Sequence, residues 1–208
     1  RGMFGFAVWN EKEQTLMLAR DFFGIKPVYY AEIDGHFVFA SEIKSILAFP
    51  GYERKVNQKA LEQYLSFQYS PLEETFFKGI YKLMPGHMLL YKNGSYEIKT
   101  YFKPKLTPGQ WNHKTNMAQL RSQLSEILKD SVKHHMLSDV EVGAFLSGGV
   151  DSGYLASSSG ADQAFTVGFD EGDRYSEVNK AAKVAEKAGL KHHVKIISKQ
   201  EFWDALPD

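Results

Sequence analysis

The chain reads as two architectures in succession, an α+β part followed by an α/β part built on a doubly wound parallel sheet. Three observations predict this. The N-terminal half carries short aromatic and β-branched segments separated by turn chemistry, including Asp34-Gly35 and Asn93-Gly94, dipeptides that tolerate positive φ at both positions of a two-residue hairpin. The stretch KPKLTPGQWNHK, residues 103–114, holds two prolines and a glycine and lacks periodicity, which marks a linker. Beyond it the order becomes helix, strand, helix, strand, helix, strand, the grammar of a parallel sheet with crossover helices. The expected division is residues 1–106 and residues 107–208.

Taken in order, strands are predicted at Phe4–Trp9, Thr15–Arg20, Val28–Ile33 and His36–Ser41. NEKEQ separates the first two, while Gly24 and Pro27 punctuate the DFFGIKP connection. Ser41–Ala48 is a short helix, and Asn57 is a good N-cap for KALEQYLSF, whose Leu61, Tyr64 and Leu65 share one face. A second β unit runs through Ile80–Leu83, PGHMLLY and SYEIKTYF. After the linker, Thr115–Leu137 spaces Met117, Leu120, Leu124, Ile127, Leu128, Val132 and Met136 as an amphipathic helix. Val140–Leu146 is strand-like, and a helix starts within the glycine loop that follows. Ala164–Phe169 is a second strand, Ser176–Ala188 a helix ended by Gly189, and His193–Ile197 a third strand.

Bulk properties narrow the function. With 43% hydrophobic and 24% charged residues over 208 positions, the composition is that of a globular protein with real cores. Twenty-five basic residues balance twenty-five acidic ones, so no net field draws in nucleic acid or an anionic membrane. No apolar run approaches the ~20 residues of a membrane helix, and no secretory signal is seen. Cys is absent, which excludes disulfides, thiolate nucleophiles and Cys-ligated metals within these residues. A cytoplasmic location is expected. The opening RGMFGFAVWN begins strand pattern almost at once, with Arg1 first, and reads as a fragment whose first part is missing.

The chemistry concentrates in FLSGGVDSG, Phe145 to Gly153. Between a strand and a helix, the N–H groups of a Ser/Gly turn converge on one point, glycines let the backbone approach an anion, and the helix N-terminus adds partial positive charge. In a doubly wound sheet Ser147–Ser152 would fall at the carboxyl end of a strand, where ligands bind. Walker A needs a Lys after its second Gly, and G-x-G-x-x-G cannot be laid over SGGVDSG. Asp151 beside phosphate makes sense with a divalent cation between them, and Mg²⁺ prefers carboxylate and phosphate oxygens. The pattern alone leaves a phosphate cradle and a flexible turn with a capping Asp or Ser both open.

SGGVDS closely resembles the pyrophosphate-loop motif of ATP pyrophosphatases, and its setting resembles the synthetase domain of the glutamine-hydrolysing asparagine synthetase family. GMFGFAVWN, ARDFFGIKPVYY, FVFASEIKSIL, KLMPGHMLLY, HHMLSDVEVGAFLSGGVDS, FTVGF and KHHV carry the resemblance in one order along essentially the whole chain. It implies an incomplete N-terminal-nucleophile glutaminase-type sheet with a connecting β unit, then an incomplete Rossmann-like ATP-pyrophosphatase domain. The implied enzyme releases ammonia from glutamine, adenylates the aspartate side-chain carboxylate with ATP and Mg²⁺, and lets ammonia displace AMP. Carried over, Ser147, Gly148, Gly149, Asp151 and Ser152 grip the β- and γ-phosphates, with Asp151 on the Mg²⁺-pyrophosphate. Leu146, Val167 and Gly168 match positions whose backbone lies against the adenosine. The partners implied are ATP, aspartate and glutamine, with no nucleic acid and no membrane, and a homodimer stays open for the full-length protein.

The sequence departs from the family in lacking the glutaminase Cys, so no catalytic residue of that half is expected here and the fragment is expected to be inactive alone. Gly153 stands where many members have Ser, placing a poor helix former just after the loop and removing a hydroxyl near the nucleotide. A β-lactam synthetase-like or peptide-maturation relative, or a non-catalytic split subunit, are the other readings. His134-His135 and His192-His193 are neighbours whose side chains point apart, which argues against metal pairs. The aromatics of FFGIKPVYY and YLSFQY are expected in the core, Asp170, Glu171 and Asp173 on a solvated loop, and Arg20-Asp21 as a structural ion pair.

Overall fold

The computed structural model describes residues 2–105, 116–170 and 176–206. Glu171, Asp173 and most of the expected linker lie outside the described residues. The chain divides into two compact units, Arg1–Pro108 and Gly109–Asp208.

The first unit begins with β1 (Gly5–Asn10), β2 (Thr15–Arg20), β3 (Tyr29–Ile33) and β4 (His36–Ala40). Next come α1 (Ile43–Leu47), α2 (Gln58–Phe67), β5 (Ile80–Lys82), β6 (His87–Lys92) and β7 (Ser95–Thr100). Two antiparallel sheets result, one ordered β1-β2-β6-β7 and the other β4-β3-β5. Both hairpin dipeptides take positive φ at each position: 48° and 77° at Asp34-Gly35, 51° and 76° at Asn93-Gly94. Strand alternation then divides the interior. Tyr30 joins Leu18, Val28, Leu83 and Leu89 on one side of β3, while Ala31 and Ile33 meet Ile46 and Ile80 on the other, under α1.

Arg20 and Asp21 do not pair with each other, contrary to the sequence-based expectation. Each is buried because the backbone around it is irregular and needs partners. The Arg20 guanidinium donates to the carbonyls of Lys26, Leu83 and Gly24 at 2.7–2.8 Å. Asp21 accepts from the N–H groups of Phe4, Phe23, Ile25 and Lys26. Burial pushes its carboxyl up, and these backbone bonds outweigh that to leave it titrating below its ordinary value. A second correction concerns the aromatics. Tyr30 is buried as expected, but Phe23 in the β2–β3 connection, Phe67 at the end of α2 and Tyr69 just beyond it are exposed.

The second unit contains α3 (Met117–His135), β8 (Ala144–Phe145), α4 (Val150–Ser159), β9 (Gln163–Phe169), α5 (Val178–Ala188), β10 (Lys191–Ile197) and α6 (Lys199–Asp204). Its sheet is parallel, ordered β10-β9-β8. Leu146, Ala156, Ala164, Ala181 and Ala185 form the core, and these small side chains let α4 and α5 lie close to β9. The other face of β9 shows Phe165, Val167 and Phe169 to solvent, so among the described residues the core lies on one side of this sheet. Only Ala144–Phe145 of the expected Val140–Leu146 strand pairs as a ladder, against Ala164 and Phe165 of β9. The apolar stripe of α3 is mostly exposed, with Val132 its one buried residue. The α6 helix was not anticipated.

Candidate functional site

A cleft of about 350 Å³ opens at the carboxyl ends of β8 and β9, lined by Leu146, Ser147, Ser152, Val167, Phe169 and Glu177 among others. This is the position at which open parallel sheets present ligands. It gathers four of the sequence-predicted residues, Leu146, Ser147, Ser152 and Val167. The remaining four, Gly148, Gly149, Asp151 and Gly168, do not line the cleft itself.

Each of those four has a definite place. Gly148 holds φ +76°, and a Cβ there would come within 2.7 Å of Lys180 Cβ and 2.9 Å of the Ala181 nitrogen, so the loop lies directly on the start of α5. Gly149 is the N-cap of α4. Asp151 sits exposed in the first turn of α4, and its carboxylate takes no hydrogen bond or ion pair among the described residues. Gly168 packs where a Cβ would meet Val178 Cγ2 at 2.5 Å and Ile196 Cδ1 at 2.8 Å.

Helix starts in the chain are of two kinds. Asn57 caps α2, Asn116 caps α3 and Ser198 caps α6, each accepting from a first-turn N–H, whereas α1, α4 and α5 have no side-chain cap, and of these α4 alone starts with a glycine at the N-cap. Gly149 offers α4 no side chain, and the N–H groups of Val150, Asp151 and Ser152 find no acceptor among the described residues. These donors and the helix dipole together attract an anion. The loop is braced meanwhile: Ser147 N–H donates to Ser152 Oγ at 3.2 Å, the two hydroxyls lie 3.0 Å apart, and Ser152 Oγ donates to the Gly149 carbonyl at 3.3 Å.

On the β9 side, the N–H of Val167 faces the same strand edge as the Phe165 carbonyl, which accepts from Leu146 N–H at 2.9 Å. Since β8 has ended there, this edge of Val167 opens on the cleft. Phe145 and Phe169 add exposed rings nearby. Gly153 points elsewhere: it is buried in α4, with Val184 Cγ1 3.5 Å from where its Cβ would be, so a hydroxyl at this position would face α5 and not the cleft.

Sequence reasoning missed Thr166, Phe169, Glu177 and His192. Thr166 and Phe169 lay inside the quoted FTVGF and His192 inside KHHV, and period-two alternation would have set Thr166 apart from Phe165 and Val167. The histidine neighbours do diverge. His192 Nε2 meets Thr166 Oγ1 at 2.7 Å, whereas His193 Nε2 meets Gln163 Oε1 at 2.9 Å and its ring stacks on Phe165 at 5.0 Å. His134 and His135 each turn Nδ1 to the carbonyl four residues back.

Two family models match the chain, one described as a glutamine amidotransferase domain over residues 1–102 and one as asparagine synthase over residues 123–208. Asparagine synthetase (glutamine-hydrolyzing) 1 of Bacillus subtilis is 38% identical over 100% of this chain and 33% of its own length. A putative asparagine synthetase (glutamine-hydrolyzing) of Mycobacterium tuberculosis is 36% identical over 100% of this chain and 33% of its own. The chain thus spans about a third of the length of these curated relatives. Among solved structures, an NH3-dependent NAD synthetase from Campylobacter jejuni is 21% identical over 41% of this chain and 39% of its own, with a TM-score of 0.32.

Proposed function

The chain belongs to the glutamine-hydrolysing asparagine synthetase family, and from that premise we propose that it carries part of the machinery of an ATP-dependent amidotransferase, working within a longer polypeptide. Residues 1–106 would be a portion of the glutaminase-type domain, of the N-terminal-nucleophile kind, with its connecting β unit. Residues 107–208 would be the first portion of a doubly wound, Rossmann-like ATP-pyrophosphatase domain. The reaction is adenylation of the aspartate side-chain carboxylate: a carboxylate oxygen attacks the α-phosphorus of ATP and pyrophosphate departs. Ammonia then attacks the acyl carbon and AMP leaves, giving asparagine. The 208 residues contain no Cys, so the thiol that hydrolyses glutamine would come from outside them.

The observation that carries this reading is the uncapped start of α4 at the cleft. Three free N–H donors, the dipole behind them and the two braced hydroxyls suit the β- and γ-phosphates, which become the leaving group. Leu146, Val167 and Gly168 belong beside the adenosine, the edge of Val167 that opens on the cleft being suited to a purine. The residues also fit Mg²⁺: Asp151 supplies an unpaired, exposed carboxylate one residue into the same helix. When bound, the ion neutralises charge on the departing pyrophosphate. This chain's own groups hold the phosphates and fix their direction. The protein is read as cytoplasmic, and no helix among the described residues is long and apolar enough to cross a membrane.

The test supplies the longer protein with glutamine, aspartate and Mg-ATP. AMP and asparagine are expected in equal amounts, and their absence overturns the assignment. Asp151→Asn should slow pyrophosphate release by roughly 10²-fold, the scale on which removing a charge-stabilising group acts, and an unchanged rate removes the metal role.

A further inference from the structure

We propose that Thr166 and His192 are positioning residues for the glycine loop, acting through the carbonyl of Leu146. The proposal rests on the nucleotide-site reading above and adds a device that aims the loop.

Leu146 is the last residue tied to the sheet, its N–H donating to the Phe165 carbonyl at 2.9 Å. In a parallel ladder continued by one rung, its own carbonyl would accept from Val167 N–H. That bond does not form. The Thr166 hydroxyl takes the carbonyl instead, at 2.6 Å, and Leu146 and Thr166 are both buried. The substitution of a side chain for a main-chain donor lets the chain leave the sheet at Ser147 without orphaning a buried acceptor.

The second contact follows from proton counting. A hydroxyl has one proton and a carbonyl can only accept, so the Thr166 proton is committed to Leu146. The His192 ring, 2.7 Å from Thr166 Oγ1, must then donate from Nε2. His192 lies opposite Ala164 in the β10–β9 register, diagonal to Thr166 on the same face. A directed chain therefore crosses all three strands of the sheet: His192 Nε2–H to Thr166 Oγ1–H to Leu146 O.

Its last link controls the loop because the peptide unit is planar. The Leu146 carbonyl and the Ser147 N–H belong to one plane, and Ser147 N–H donates to Ser152 Oγ. Releasing the carbonyl frees that plane to rotate, which breaks the Ser147–Ser152 brace and turns both hydroxyls away from the first turn of α4. Thr166, which also lines the cleft, and His192 behind it thus set the loop's aim through the Leu146 carbonyl.

The experiment uses the longer protein with 15N-labelled histidine. Wild-type His192 should show an Nε2-bound proton in slow exchange with water, and Thr166→Val should abolish that protection. In steady state, Thr166→Val should raise KM for ATP about tenfold, the loss of a hydrogen bond worth one decade, with KM for aspartate unchanged. Thr166→Ser, which keeps the donor, should restore it, and His192→Gln, which can still donate, should fall between. A wild-type His192 carrying its proton on Nδ1 overturns the proposal, whether or not Thr166→Val folds. So does an unchanged KM for ATP in Thr166→Val, or equal losses for every substrate, which would mark a purely structural role. A wild type that binds no ATP sinks the site reading and this proposal together, whereas ATP binding indifferent to Thr166 sinks this one alone.

Discussion

Glycines that look alike in the sequence carry opposite expectations. Gly153→Ala should stabilise the protein by about 1 kcal/mol, because Gly153 lies within α4 and an added methyl would make ordinary contact with Val184. Gly168→Ala should cost roughly 1–3 kcal/mol, because the same methyl would overlap Val178 and Ile196. Urea denaturation of the two variants reads both signs, and a common sign would contradict the packing described. Asp21 makes a third case. Asp21→Ala leaves four part-buried N–H groups without their acceptor, and a loss on the order of 3 kcal/mol is expected. Since its folded pKa lies below the ordinary value, this contribution is full above the unfolded value of about 3.9 and disappears as pH falls through the folded one. Denaturation midpoints compared at pH 6 and pH 3 should show wild type losing more than Asp21→Ala. The sequence placed Arg20 and Asp21 side by side but could not show that each serves backbone instead of the other.

Among the elements, α6 offers the cleanest test. Ser198 and Glu201 form a reciprocal capping box, and Lys195 on β10 donates to the same carboxylate at 2.7 Å. The hydrogen bond from Lys195, with those of Ser198, brings the Glu201 carboxyl down to about 2. Its support for α6 is therefore present above the ordinary glutamate range near 4.3 and fades as pH drops towards 2. Glu201→Ala, which removes the acceptor, should speed amide exchange across 199–204 at neutral pH while leaving α5 unchanged, and equal protection in both proteins would refute the cap. The S-x-x-E spacing was legible in SKQE, yet a six-residue helix gives no periodic stripe, so pattern reading passed over it. Hairpins fared better, because Asp-Gly and Asn-Gly announce a local conformation that no tertiary contact need supply. Strand Val140–Leu146 fared worse, since pairing is set by a neighbour and not by the strand's own residues. At the site, the loop was legible because its glycines are a local requirement. The Thr166–His192 chain was not, since it joins residues brought together only by the register of β9 on β10.

At the scale of the molecule, the chain shows a large amount of apolar surface. Leu137, Phe145 and Val150 are 92%, 86% and 88% exposed, and β1 is exposed along its whole length. The 208-residue chain by itself should bind a hydrophobic dye and associate with rising concentration. Sedimentation showing a dye-silent monomer at every concentration would contradict that. The helix start at Gly149 has a further consequence on this scale. A helix that lacks its own cap is incomplete as a fold, and an anion seated there completes it. Folding and occupancy then become one linked equilibrium, in which ligand at a hundred times its Kd adds about 2.7 kcal/mol to the native state. Under the proposed nucleotide reading, the melting temperature should therefore rise as ATP is added and fall back as it is withdrawn.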